Sequence, residues 1–132
     1  MHIQLFGEDG MLKDERFIHN TVTTAGKNGA ADQILASPSL NKPTHMAVGT
    51  GTPSGTALGT ELDRNALTSK TRSGAVVTMV GDWAAGDGTG AITEAGIFDA
   101  GSAGNMWTSA SFSVINKGAA DTLSISWTLT FS

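Results

Sequence analysis

Several side chains are of types that carry out chemistry, but their spacing does not fit a metal site. His2, His19 and His45 lie far apart along the chain, whereas zinc motifs place two ligands a few residues apart. Asp82 and Asp87 flank a glycine-rich turn that could wrap a hard cation, yet the ligand order of an EF-hand and its terminal Glu are absent. The sequence therefore predicts no metal and no cofactor.

Catalytic groups are equally hard to single out. The chain has no Cys and no Tyr, and its many Ser and Thr residues offer no distinctive nucleophile. Residues 49–54 begin like a dinucleotide-binding loop, but the third glycine is missing and a proline follows, so we interpret them as a turn. A small glycan hydrolase with two facing carboxylates is the enzymatic alternative, and Asp82, Asp87 and Glu94 are its candidates. We predict a protein that is not an enzyme.

Two charged residues have a structural interpretation. Glu94 lies in an apolar strand pattern between Ile92 and Ile97, and a carboxylate buried there needs a partner. A guanidinium can supply two parallel hydrogen bonds, and Arg64 precedes this region. We predict a structural ion pair between Arg64 and Glu94, with an outward-facing Glu94 on an edge strand as the alternative.

Length and charge limit the classes of partner. A chain of 132 residues with a net charge of -4 is the size of one domain, and its eight Lys and Arg residues are too few for a phosphate-binding surface. It contains no apolar run of membrane-spanning length and no basic signal region at its start. We therefore expect partners that are proteins, with neither nucleic acid nor membrane.

The C-terminal segment gives the clearest structural signal. From Thr122 to Phe131, apolar and hydroxyl side chains alternate, which is typical of a half-buried strand. Strand patterns also occur over residues 44–48, 75–83, 91–99 and 105–115, and the last is predicted to pair with the C-terminal strand. The predicted core face of that strand consists of Leu123, Ile125, Trp127, Leu129 and Phe131.

These strands predict an all-β domain, a mainly antiparallel β-sandwich or barrel, over residues 26–132. One short helix is predicted near residues 27–36, with an apolar stripe of Ala30, Ala31, Ile34 and Leu35. Residues 1–25 are either an N-terminal arm or edge strands, and an arm implies that its loss weakens attachment more than folding. The candidate interface residues are Phe17, Ile18 and Trp107.

Four motifs in order resemble small structural proteins of tailed bacteriophages. They are AVGTG at residues 47–51, LGTE at 58–61 followed by Arg64, ITEAGIFD at 92–99 and DTLSISW at 121–127. The resemblance covers about residues 44–131 and implies a multimeric β-domain of the head-decoration, cement or tail-accessory type, without catalysis. It also implies that the charged positions Arg64 and Glu94 are structural.

The expected function is therefore that of a virion structural protein, assembled in the host cytoplasm. We expect a capsid decoration or cement subunit, a homo-oligomer and specifically a homotrimer, whose partners are capsid or tail proteins. The alternative is a tail or tail-fibre module that recognises a receptor through the glycine-rich loops at residues 49–57 and 84–90.

Overall fold

Residues 1–131, which the computed structural model describes, fold into two antiparallel β-sheets of five strands each and one short helix. Ser132, the last residue of the predicted domain, lies outside the described residues. The first sheet has the strand order β2-β1-β10-β7-β6, and the second has the order β3-β9-β8-β4-β5. We call them sheet A and sheet B. The protein is an all-β sandwich, as predicted from its alternating segments.

Each sheet contains strands from both the N-terminal and the C-terminal parts of the chain. Sheet A is built from β1 (His2–Phe6), β2 (Leu12–Phe17), β6 (Ser69–Ser73), β7 (Val76–Trp83) and β10 (Thr122–Thr130). Sheet B is built from β3 (Thr21–Val22), β4 (His45–Gly49), β5 (Glu61–Ala66), β8 (Gly90–Phe98) and β9 (Met106–Lys117). The helix α1 (Thr24–Asp32) connects β3 to the segment that leads into β4.

Strand β10 places its apolar side chains between the sheets, but only over part of its length. Leu123, Ile125 and Trp127 are fully buried, and Leu129 packs against the core while half-buried. Phe131 is 55% exposed, so its assignment to the core is wrong. The reason is that β10 ends at Thr130, and the alternation continues beyond the end of the strand.

The predicted hairpin between β9 and β10 is also wrong. Strand β9 pairs with β8 and β3 in sheet B, whereas β10 pairs with β1 and β7 in sheet A. The chain crosses from one sheet to the other between Lys117 and Thr122. Alternation identifies which face of a strand is buried, but it does not identify the neighbouring strand.

The N-terminal residues are part of sheet A. Strand β1 lies between β2 and β10, and its Ile3 and Leu5 belong to the buried core. Ile18 also packs against the core, and its carbonyl accepts a hydrogen bond of 2.9 Å from the N-terminal amine of Met1. Of the two alternatives for residues 1–25, the structure contains strands and no free arm.

Helix α1 packs mainly through glycines, and its predicted apolar stripe is wrong except at Ala30, which packs against the core. Ile34 and Leu35 lie beyond its end and are 87% and 59% exposed, whereas the buried residues of the helix are Gly26 and Gly29. These glycines allow the helix to lie directly on Trp107, which is only 6% exposed. Trp107 is therefore a core residue covered by α1, and its assignment to an interface is wrong.

Candidate interaction surface

The outer face of sheet A carries a broad set of small hydroxyl side chains. The strand registers align Ser126 of β10 with Val80 of β7 and His2 of β1, and the alternation repeats along each strand. We call this surface the hydroxyl face, and its residues are Ser69, Thr71, Ser73, Thr78, Ser124, Ser126, Thr128 and Thr130. The charged residues that the registers place on this side, Glu15 and Asp82, lie towards its border.

One edge of the hydroxyl face carries an exposed aromatic group. The Phe17 ring stacks on the His2 imidazole with centroids 4.4 Å apart, and Phe17 is 73% exposed. Glu15 Oε2 lies 3.4 Å from His2 Nε2 on the same edge. Phe17 is therefore accessible to a partner, whereas its neighbour Ile18 is turned towards the core.

Part of the outer face of sheet B is covered by the chain itself. The glycine-rich segment at residues 50–60 folds back towards the sheet, and buried Glu94 holds its end in place. The carboxylate of Glu94 accepts the backbone N–H of Gly59 at 2.9 Å and that of Thr60 at 2.8 Å. A side chain at Gly49 would collide with this carboxylate. Glu94 thus fixes the shape of a loop by binding two backbone donors.

The predicted ion pair between Arg64 and Glu94 is wrong. Arg64 pairs instead with Glu61, with Nη2 and Oε1 separated by 2.5 Å, and its guanidinium stacks 3.7 Å above the Phe98 ring. Its Nη1 also donates to the carbonyl of Ala100 at 2.9 Å and to that of Ala103 at 2.8 Å.

The strand registers explain this result. Arg64 lies opposite Ala47, whereas Glu94 lies opposite Gly49, so the two side chains are offset along the sheet. Arg64 therefore secures the turn after β8, and Glu94 secures the loop before β5. Both residues are structural, but each acts on a different connection.

Asp99, Lys117 and Asp121 are buried charges that were not identified from the sequence, and the last two lie around the turn between β9 and β10. Lys117 is 2% exposed and donates to the carbonyl of Ala84 at 3.0 Å, and burial lowers the pKa of its ammonium group. Asp121 accepts Lys13 Nζ at 3.0 and 2.9 Å and the Gly118 N–H at 2.8 Å, and these bonds, that of Lys13 first, hold its pKa below the usual aspartate range. Both residues lie in a turn pattern, which gives no signal of burial.

The three carboxylates considered for glycan hydrolysis do not face one another. Asp82 is exposed on the outer side of sheet A, Asp87 lies in an exposed turn, and Glu94 is buried on the outer side of sheet B. Within residues 1–131, no group of three or more His, Asp or Glu side chains is placed to hold a metal ion. In the same part of the chain, no helix has the length and apolar character needed to cross a membrane.

Comparison of the chain with protein-family models, with curated proteins and with solved structures found no match.

Proposed function

We propose that this chain is a non-enzymatic structural subunit of a tailed-bacteriophage particle, and specifically a decoration or cement subunit on the capsid surface. The hydroxyl face is the observation that carries this proposal. It extends over β6, β7 and β10 of sheet A, and it is formed by small uncharged side chains. The motifs of residues 44–131 that resemble phage structural proteins support the same class.

The chemistry of the hydroxyl face suits binding to another protein. Serine and threonine have short side chains, so covering them costs less conformational entropy than covering Lys, Arg or Glu. Few charges need to be desolvated, because the charged residues of this side lie near its border. An assembly that buries this face therefore avoids two of the main costs of association.

Edge strand β6 offers a second means of attachment. All five of its residues are exposed, and β7 occupies only one of its two sides. The unpaired backbone groups on the other side can extend a neighbouring sheet by main-chain hydrogen bonds. Repeated contacts of one kind give a closed symmetric oligomer when the rotation between neighbours closes, and a homotrimer is the proposed state at the threefold positions of a capsid.

A binding assay with point variants tests the hydroxyl face. Purified protein is added to phage particles that lack it, and bound protein is measured by co-sedimentation. Thr128→Lys places a charge at an exposed position of the hydroxyl face and is expected to abolish binding. The matched control Thr56→Lys places the same charge in the exposed loop at residues 50–60 and is expected to bind normally. Normal binding of Thr128→Lys would refute the proposed face.

A tail or tail-fibre module that recognises a receptor is the second candidate. The glycine-rich loops at residues 49–57 and 84–90 lie side by side, since a Cβ at Gly90 would be 3.9 Å from Thr50 Cγ2. Glu94 also holds the first loop in one shape, which a recognition loop requires. This function is tested by co-sedimentation with host cells, where it predicts that receptor binding is lost in Thr56→Lys and kept in Thr128→Lys.

The number of copies in a particle separates the two functions independently. Quantitative mass spectrometry of purified particles should find a cement subunit at a copy number close to that of the capsid protein. A tail module should be present in only a few copies. Absence of the chain from intact particles would contradict both functions.

A further inference from the structure

Half of the eight Lys and Arg residues of this acidic protein line one groove and the depression beside it. The groove lies between α1, the chain before β4 and the inner side of β6 and β7, and it has a volume of about 660 Å³. Lys42, Lys70 and Arg72 line it, and Lys27 lines the depression that adjoins it. We call this the basic groove. No Asp or Glu is among the residues that line either part.

The other four cations have acidic neighbours. Lys13 pairs with Asp121, Arg16 with Asp14 and Arg64 with Glu61. Lys117 is buried with Asp121, Asp87 and Asp63 near it. Within residues 1–131, the four cations of the basic groove form no ion pair of this kind. Their charge is thus left for an external anion or carboxylate.

The floor of the basic groove is apolar, and its rim carries apolar side chains beside the cations. Trp107, Met79 and Leu129 form part of the floor, and Ile34 and Phe131 on the rim are 87% and 55% exposed. Lys70 Nζ donates to the carbonyl of Pro43 at 2.7 Å, which holds its stem against the groove. Burial and the neighbouring Lys42 lower the pKa of Lys70. The complementary ligand is a short segment that combines exposed apolar side chains with carboxylates.

The turn between β1 and β2 has this composition. It places exposed Glu8 and Asp9 beside Met11 and Leu12, which are 67% and 48% exposed. The turn is fixed internally, because the Gly7 N–H donates to the Met11 carbonyl at 2.9 Å and the Met11 N–H donates to Asp9 Oδ1 at 2.9 Å. These bonds hold the backbone of the turn, and its apolar side chains are exposed to solvent.

The strand registers place the turn and the basic groove at opposite ends of the sandwich. Phe6, before the turn, lies opposite Thr122 at the start of β10, whereas Leu129, in the groove, lies near its end. At about 3.4 Å per residue, the nine residues of β10 span roughly 30 Å. The turn of one molecule cannot reach its own groove, so a turn that occupies the groove comes from a second copy.

We propose that copies of this chain associate head to tail, with the β1–β2 turn of one copy inserted into the basic groove of the next. Met11 and Leu12 contact the apolar floor, and Glu8 and Asp9 face the cations of the rim. Such a contact joins two different surfaces, so it closes into a ring or extends into a filament according to the rotation between neighbours. The proposal concerns the purified protein and does not depend on a role in phage particles.

A charge-swap experiment in analytical ultracentrifugation tests this contact. Two variants are prepared, Glu8→Lys with Asp9→Asn in the turn, and Lys42→Glu with Arg72→Glu in the basic groove. Each variant alone is expected to self-associate at least about tenfold more weakly than the wild type, because like charges then meet at the contact. An equimolar mixture is expected to recover association, since each altered surface finds an unlike partner.

Controls and contrary outcomes are defined for the same measurement. Asp82→Lys changes the charge at an exposed site outside the turn and should associate like the wild type. Ile34→Asp, on the rim of the basic groove, should weaken association without affecting folding measured by circular dichroism. A monomeric wild type, unchanged association of the two charge variants, or failure of their mixture to reassociate would each overturn the proposal.

Discussion

Gly29 of helix α1 lies against the indole ring of Trp107, so closely that a Cβ at Gly29 would overlap Cζ2 and lie 2.7 Å from Cη2. Gly26 meets the Trp107 backbone in the same way. Thr23 caps the start of the helix. Its hydroxyl oxygen accepts the Gly26 N–H at 3.0 Å, and its hydroxyl group donates to the carbonyls of Met106 and Trp107. A nine-residue helix that is marginal by itself is thereby fixed to the sheet.

Gly29→Ala should destabilise the protein, although alanine favours a helix over glycine by about 0.5–1 kcal/mol. The new methyl group must displace the Trp107 ring, and such overpacking costs about 1–3 kcal/mol. The measurement is the free energy of unfolding in urea. Asn28→Ala, at an exposed helix position, is the control and should be neutral or stabilising. A Gly29→Ala protein that is more stable than the wild type would contradict the packing described.

Glu94→Gln should loosen the loop at residues 50–60. Gln retains one acceptor oxygen, so one of the N–H groups of Gly59 and Thr60 then faces an amide NH₂ group and is left unsatisfied. Both N–H groups are part-buried, so leaving one without an acceptor is expected to cost at most the about 1–3 kcal/mol of a fully buried donor. Hydrogen exchange of these two amides should accelerate, while Glu15→Gln at an exposed site should leave their rates unchanged. Equal exchange rates in Glu94→Gln and the wild type would show that the carboxylate does not hold the loop.

Arg64→Lys should destabilise the turn between β8 and β9. The Arg64 guanidinium pairs with Glu61, donates to the carbonyls of Ala100 and Ala103, and stacks on the Phe98 ring. Lysine keeps the charge but lacks the planar group that makes all of these contacts at once. We expect a loss of about 1–3 kcal/mol in the free energy of unfolding. Arg72→Lys, at an exposed position in β6, is the matched control and should unfold like the wild type. Similar losses in both variants would argue against a special role for Arg64.

Asp121→Asn should change the pH dependence of stability. Lys13 and the Gly118 N–H lower the pKa of Asp121 in the folded protein, so the folded state favours the carboxylate more than the unfolded state does. This stabilisation is complete above the ordinary aspartate pKa of about 3.9 and is lost as pH falls through the lower folded value. The gap in urea midpoint between the wild type and Asp121→Asn should therefore shrink below about pH 4. Asp82→Asn controls for removal of one carboxylate, and a constant gap for Asp121→Asn would contradict the assignment.

Deletion of residues 1–17 should abolish cooperative folding. It removes β1 and β2, with the buried Ile3 and Leu5, and exposes one side of β10. For a free arm, we expected deletion to weaken attachment more than folding. Because these residues form two strands of sheet A, we now expect deletion to prevent folding. Thermal unfolding followed by near-ultraviolet circular dichroism measures the effect, and Phe17→Ser at a 73% exposed site should leave it unchanged. A deletion variant with a native unfolding transition would refute the integration of these strands.

The sequence by itself determined which segments are extended and which of their faces are apolar. Alternation with a period of two depends only on neighbours in the chain, so β10 and the buried side chains of Leu123, Ile125 and Trp127 could be identified in advance. The same local rule failed at Phe131, because a pattern of residue types does not reveal where the sheet ends.

Tertiary structure alone decided which strands pair, which partners the charges find and what covers Trp107. Each depends on residues far apart in sequence: β10 pairs with β1, Glu94 binds the amides of Gly59 and Thr60, and Gly29 covers the indole ring. Glycine does not contribute to a hydrophobic stripe. A helix that packs through its glycines against a large side chain therefore cannot be recognised from such a stripe. The positions of the basic groove and the acidic turn at opposite ends of the sandwich likewise follow from the strand registers and not from the sequence.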